Sequence, residues 1–190
     1  MPKAEVISTK IAQIYLFVQF LLSLHPNFKI VNMKKIINPW INLTDKGYNC
    51  FGCAPENPCG LKMEFFEDGD DVISYWTPGD NYQGWIKTLH GGIQATLLDE
   101  TASWLISRKF QTSGMTTDLK VKYKKPIPTG EDIKLEIRAR VKEIKRTFVF
   151  IEATISYNGN VHTTGELTFY CFSKEIAQKE FLFIGCEVEE

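Results

Sequence analysis

The chain has no excess of either charge. Its 22 Lys and Arg face 23 Asp and Glu, a formal net charge of −1. That balance argues against a nucleic-acid binder and against a polybasic membrane protein, leaving only local patches open. Cysteine comes in an odd number: Cys50, Cys53, Cys59, Cys171 and Cys186. Three of them crowd between Asn49 and Leu61, a poor disulfide framework, so reduced thiols in a cytoplasmic protein are expected. Histidine is scarce, at His25, His90 and His162. Zinc is usually held by four ligands in paired C-x2-C units or Cys with His. One C-x2-C, one further Cys and distant histidines do not meet that pattern, so no metal is expected. There is no internal repeat and no low-complexity tract.

A membrane-spanning run is also lacking. The longest apolar stretch, Ile11 to Leu24, would reach about 21 Å as a helix, short of a bilayer core of about 30 Å. Lys3 and Lys10 precede it, as in a secretory signal, but "SLHPNFKIVN" offers no A-x-A-type cleavage site. Three readings stay open: an appended docking helix, a signal, or a true start at Met33 with the preceding residues a mis-assigned extension. The domain organisation expected is an N-terminal extension over 1–40, one domain over 41–173 and a C-terminal tail over 174–190.

What is present suits one domain with a sizeable core. Of 190 residues, 44% are hydrophobic and 13% aromatic. "NCFGCAPENPCGL" (Asn49 to Leu61) is turn chemistry. "LKMEFFED" and "DVISYWT" read as strands around an Asp68-Gly69-Asp70 turn. A helix follows from about Gly92 to Phe110. Then come four strand-like runs, "MTTDLKVKYKK", "DIKLEIRARVKEI", "TFVFIEATISY" and "VHTTGELTFYCF". Leu119, Val121 and Tyr123 alternate with Asp118, Lys120 and Lys122, and Ile133 to Val141 alternate likewise, so each strand has one dry face. "YNGN" is a strong hairpin turn. A single helix carrying apolar residues on every face must be covered on most sides. The fold class expected is α+β, a curved antiparallel sheet wrapped around one long helix.

Within that helix stand two adjacent acids, Asp99 and Glu100. The stretch "LHGGIQATLLDE" (Leu89 to Glu100), followed by "TTDLKVKYKKPIPTG" (Thr116 to Gly130), resembles the hotdog-fold acyl-CoA thioesterases. It is most similar to the PaaI-type branch of the 4-hydroxybenzoyl-CoA thioesterase-like superfamily. "CFGC", "NPCGL" and "YQGW" upstream resemble a subgroup of that branch, and the likeness extends from about Asn49 to Phe172. The resemblance implies hydrolysis of acyl-CoA thioesters by a homodimer or dimer of dimers, with sites at subunit interfaces and no cofactor. It places the essential carboxylate on Asp99, the polarising backbone N–H on Gly91 and a water-holding hydroxyl on Thr116, with Thr117 one step away. His90 orients the loop. An amide that binds the thioester oxygen falls to Gln83 or Asn81.

Elementary chemistry supports those roles. Gly91 and Gly92 open a helix, where N–H groups lack internal partners and the dipole is positive. Such donors stabilise an oxyanion by about 3–4 kcal/mol each. Asp99 can take a proton from water or attack directly to form an anhydride; the residues alone leave both routes open. Gly91 and Asp99 lie eight positions apart, about 12 Å along one helix. Reacting groups must approach to about 3–3.5 Å, so the two halves of a site must come from two subunits.

Plainer readings apply to several of these residues. Asp99 could be a structural acid paired with Lys or Arg, and Glu100 a salt-bridge partner. Trp76, Tyr82, Trp85 and Trp104 are core by default. The basic residues between Lys120 and Arg146 form a solvated face or a site for coenzyme A phosphates. The rival functions are a non-catalytic acyl-CoA or acyl-carrier-protein binding module on the same fold and an enoyl-CoA hydratase, for which no Asp-x4-His motif is present. No nucleic acid or membrane partner is expected.

Overall fold

The computed structural model describes residues 33–190, which form one compact unit. The run from Ile11 to Leu24, and with it the choice among its three readings, lies outside the described residues. No helix among them is long and apolar enough to cross a membrane.

Nine strands and two α-helices make up the unit. They are β1 (Lys34–Lys35), β2 (Phe65–Asp68), β3 (Asp71–Trp76), β4 (Gln83–Trp85), β5 (Thr88–Leu89), α1 (Gly91–Phe110), β6 (Gly114–Tyr123), β7 (Leu135–Lys145), β8 (Phe148–Tyr157), β9 (Asn160–Cys171) and α2 (Lys174–Phe181). Seven strands form one antiparallel sheet in the order β1-β2-β3-β7-β8-β9-β6. The pair β4-β5 is a separate ribbon that delivers the chain to α1. Helix α1 packs against β3, β6, β7, β8 and β9. This is the expected hotdog arrangement, a sheet wrapped about one helix.

The period of two explains β7 and β8. Leu135, Ile137 and Ala139 are buried, as are Val149, Ile151, Ala153 and Ile155, with their neighbours outward. They meet Leu97, Leu98, Leu105 and Ile106 of α1, all fully buried. Each such side chain contributes about 1.5–3 kcal/mol relative to exposure. Asn158 and Gly159, both at positive φ, turn β8 into β9, the tight hairpin that "YNGN" signals.

The helix is not apolar all round. Gly92 is exposed, and Thr96, Asp99 and Ser103 are only partly covered, while Leu97, Leu98, Thr101, Ala102, Trp104 and Leu105 are buried. One stripe of α1 is thus left open by the sheet of its own chain. Its last turn carries Arg108 and Lys109, both paired with Glu67 of β2, and Gln111 closes it in the left-handed region.

Residues 33–40 and 174–190 lie outside the extent of the motif and outside the domain expected over 41–173. Both pack into it. β1 pairs with β2, and Ile36 is buried and bridges to Val188. Phe183 and Cys186 are buried, and the Gln111 side chain bonds both the N–H and the C=O of Cys186. These segments cover the C-terminal end of α1, a packing task that the motif does not encode.

Candidate active site

The start of α1 is held from several directions. His90 is the N-cap, and its Nδ1 accepts from the Gly92 N–H at 2.8 Å. Gln94, buried one turn in, donates to Leu89 O at 3.1 Å and accepts from the Thr163 hydroxyl at 2.5 Å. The Tyr123 hydroxyl donates to Gly91 O at 2.9 Å. A Cβ at Gly84 would lie 2.9 Å from the Cα of His90, so glycine there lets the β4 ribbon close over the histidine.

These contacts separate the two glycines. The Gly92 N–H is engaged by His90, whereas the Gly91 N–H has no protein acceptor among the described residues. Gly91 therefore presents the free donor at the positive end of a 20-residue helix.

The second cluster is farther along the helix. Thr116 of β6 donates its hydroxyl proton to Asp99 Oδ1 at 2.6 Å. With its proton there, the Thr116 oxygen keeps lone pairs for a water molecule. A water between Thr116 and Asp99 could give one proton to each oxygen and keep a lone pair for attack.

The strand register around Thr116 differs from simple alternation. Thr116 pairs with Phe169 and Asp118 with Thr168, so Thr117 is the extra residue of a β-bulge. Thr116 therefore shares its partly covered face with Leu119 and Val121, not with Asp118 and Lys120. Thr117 is exposed and donates to Thr168 O at 3.1 Å. Tyr123, expected on the dry face, is exposed, and its ring lies against Gly91.

The other named residues take different places. Gln83 bonds Asp80 Oδ1 at 2.9 Å and accepts from the Lys87 N–H at 3.0 Å, so its amide holds the β4–β5 turn. Asn81 is exposed in the 3-10 turn Asp80–Tyr82. Neither lies on the helix with Asp99. Trp76 is core and donates to Leu61 O, while Trp85 and Ile86 are 75% and 76% exposed beside the helix start. Trp104 is buried and borders a cavity of about 400 Å³, whose walls include Ser103, one turn beyond Asp99, and Gly114, two residues before Thr116.

Glu100 forms none of the ion pairs found among the described residues. It faces the cavity and accepts from Trp104 Nε1 at 3.1 Å and from Cys50 Sγ at 3.5 Å. The basic patch divides too. Arg138, Arg140, Lys142 and Lys145 are already paired with acids. Lys120, Lys122, Lys124, Lys125 and Arg146 make no ion pair among the described residues. Sequence reasoning missed Tyr123, Gly84, Gln94 and Thr163; a glutamine inside "GGIQATLL" was the one polar trace of the last two.

Residues 86–162 match the thioesterase superfamily model. The matched segment holds both the helix start and the Asp99–Thr116 pair. No curated protein matches the chain. Among solved structures, a thioesterase superfamily protein aligns with TM-score 0.60 at 19% identity, covering 90% of this chain and 79% of its own. Zebrafish thioesterase superfamily member 2 aligns with TM-score 0.56 at 21% identity, covering 70% and 98%. A Streptococcus mutans protein bound to acetyl-CoA aligns with TM-score 0.54 at 20% identity, covering 59% and 90%. The Escherichia coli PaaI protein of the phenylacetic acid degradation operon aligns with TM-score 0.54 at 13% identity, covering 60% and 82%. The chain has the hotdog fold that these proteins share.

Proposed function

We propose that the protein hydrolyses acyl-CoA thioesters to a free acid and coenzyme A. The observation that carries this reading is the Thr116–Asp99 hydrogen bond on the open stripe of α1, where a binding module needs neither group. The thioester carbonyl sits against the Gly91 N–H, which stabilises the developing oxyanion. Asp99 removes a proton from water, or attacks as a carboxylate, and Thr116 holds the water. The exposed Lys122, Lys124 and Lys125 flank Tyr123, whose hydroxyl reaches the helix start, and suit the phosphates of coenzyme A.

In this reading the site is shared between two copies. β6 is the last strand of the sheet, so its outer edge is unpaired among the described residues. Trp85 and Ile86, in the ribbon that leads into α1, are exposed apolar residues. A two-fold pairing along that side brings one copy's Gly91 to the other's Asp99, which the distance along a single helix forbids.

The test is a panel of acyl-CoA esters with a thiol-trapping readout, run on wild type and Asp99→Asn. Turnover by wild type that falls about 10²–10⁴-fold in the near-isosteric variant is expected. Tight acyl-CoA binding without turnover by wild type would instead identify a binding module.

A further inference from the structure

The loop from Asn49 to Leu61 brings two thiols to a carboxylate. The sulfurs of Cys50 and Cys53 and an oxygen of Glu100 all lie within 4.8 Å of one another. The Cys50 sulfur and Glu100 Oε1 are already 3.5 Å apart. A tetrahedral zinc ion with Zn–S of about 2.3 Å and Zn–O of about 2.1 Å holds such ligand atoms roughly 3.6–3.8 Å apart. Closing the cluster onto an ion therefore needs movements of about an ångström.

The surroundings are arranged for ligand groups. The Tyr48 hydroxyl contacts Cys53 Sγ at 3.1 Å and takes a bond from Asn38 Nδ2 at 2.8 Å, a polar chain that orients the second sulfur. Trp104 Nε1 fixes the carboxylate. Gly52 is what lets that carboxylate reach the thiols, because a Cβ there would stand 2.4 Å from the Glu100 carboxyl carbon.

Charge points to a cation. Glu100 is partly buried and forms no ion pair among the described residues, and a carboxylate so placed calls for a compensating charge. Two thiolates and a carboxylate match the borderline-soft divalent ions, zinc foremost; hard magnesium or calcium would not select sulfur. The cluster borders the cavity of about 400 Å³, so a fourth position is open to water.

We propose that Cys50, Cys53 and Glu100 bind one zinc ion per chain, with its fourth position facing the cavity. Loading displaces the two thiol protons as the two Zn–S bonds form. The ion ties the irregular Asn49–Leu61 loop to α1 one residue beyond Asp99. This differs from the sequence-based expectation of no metal, because the third ligand comes from a helix far along the chain.

The test uses the full-length chain, reduced and stripped with a chelator, then titrated with Co²⁺ and with Zn²⁺. Thiolate-to-cobalt absorption that saturates at one equivalent and is displaced by zinc is expected. Zinc should protect two of the five thiols from alkylation. Cys50→Ser and Cys53→Ser should lose the absorption, Glu100→Gln should bind more weakly, and Cys59→Ser, at an exposed position outside the cluster, should match wild type. If the cysteine variants do not fold, the wild-type spectrum and the alkylation pattern decide alone. Substoichiometric binding without thiolate absorption, equal protection of all five thiols, or a Cys50–Cys53 disulfide in place of metal affinity would overturn the proposal.

Discussion

Thr116 reaches Asp99 at the point where β6 departs from regular pairing. The bulge at Thr117 shifts the strand by one residue, so Thr116 joins the face that looks at α1 while Thr117 turns to Thr168. Without that extra residue, the alternation that turns the half-buried Leu119 inward would send the Thr116 hydroxyl away from the helix.

The two threonines should therefore behave differently. Thr116→Ala should lower kcat about 10-fold, the equivalent of one neutral hydrogen bond of about 1–1.5 kcal/mol. Thr116→Ser should keep most activity because the hydroxyl remains. Thr117→Ala removes a bond to a backbone carbonyl and should do much less. Single-turnover kinetics on the three variants check this, with mass spectrometry of trapped enzyme. An acyl group on Thr116, or a larger defect at Thr117, would contradict these roles.

Complementation tests the shared site. A Cβ at Gly91 would stand 3.3 Å from the Tyr123 ring and hydroxyl, so Gly91→Val should disturb the N–H donor without touching Asp99. Gly91→Val and Asp99→Asn should each be inactive alone. After subunit exchange, a mixed dimer holds one site with both native halves, and part of the activity should return. Mixtures that stay inactive despite proven exchange would mean that each chain works alone.

A chain beginning at Met33 should fold and keep its activity, because the described strands, helices and site contacts fall within 33–190. A chain beginning at Trp40 should be less stable, since it loses β1 and the buried Ile36. Urea denaturation of both chains gives the comparison. Equal midpoints would show that β1 adds nothing.

Much of this architecture was legible from periodicity. The helix expected from about Gly92 and found from Gly91, the hairpin at Asn158-Gly159 and the dry faces of β7 and β8 follow from spacing, turn residues and alternation. The resemblance singles out Asp99 and Thr116, which a hydrogen bond joins in the structure. What escaped depends on contacts between distant segments. A bulge has no reliable letter in the sequence, and strict alternation from Leu119 puts Thr116 on the face opposite to the one it occupies. Glu100 reads as a salt-bridge partner, but its partners are Cys50 and Trp104, on a loop fifty residues earlier and one turn later. The tail from 174 to 190 lies outside the motif, yet Ala177, Phe183 and Cys186 are buried.

The last prediction concerns a buried acid remote from the site. Asp71 is 1% exposed and is gripped by Arg140 through two hydrogen bonds of 2.5 and 2.8 Å and by Arg138 through one of 2.7 Å. Burial alone would raise its pKa, but the hydrogen bonds and charges of Arg140 and Arg138 outweigh burial and hold it below the ordinary carboxylate range. A folded-state pKa below the unfolded value of about 3.9 means that the pairing stabilises fully above that pH. The contribution is lost as pH falls through the folded pKa. Replacing both arginines by methionine reverses the sign: Asp71 stays buried without a cation, and its pKa rises. The double variant should be destabilised by about 3–5 kcal/mol at pH 7, the range for stranding a buried charge. Its deficit should shrink toward pH 4, where the stranded carboxyl takes up a proton that wild type refuses. Urea unfolding of both proteins at pH 7 and pH 4 measures the two gaps. A deficit that is the same at both pH values would show that Asp71 is not the group responsible.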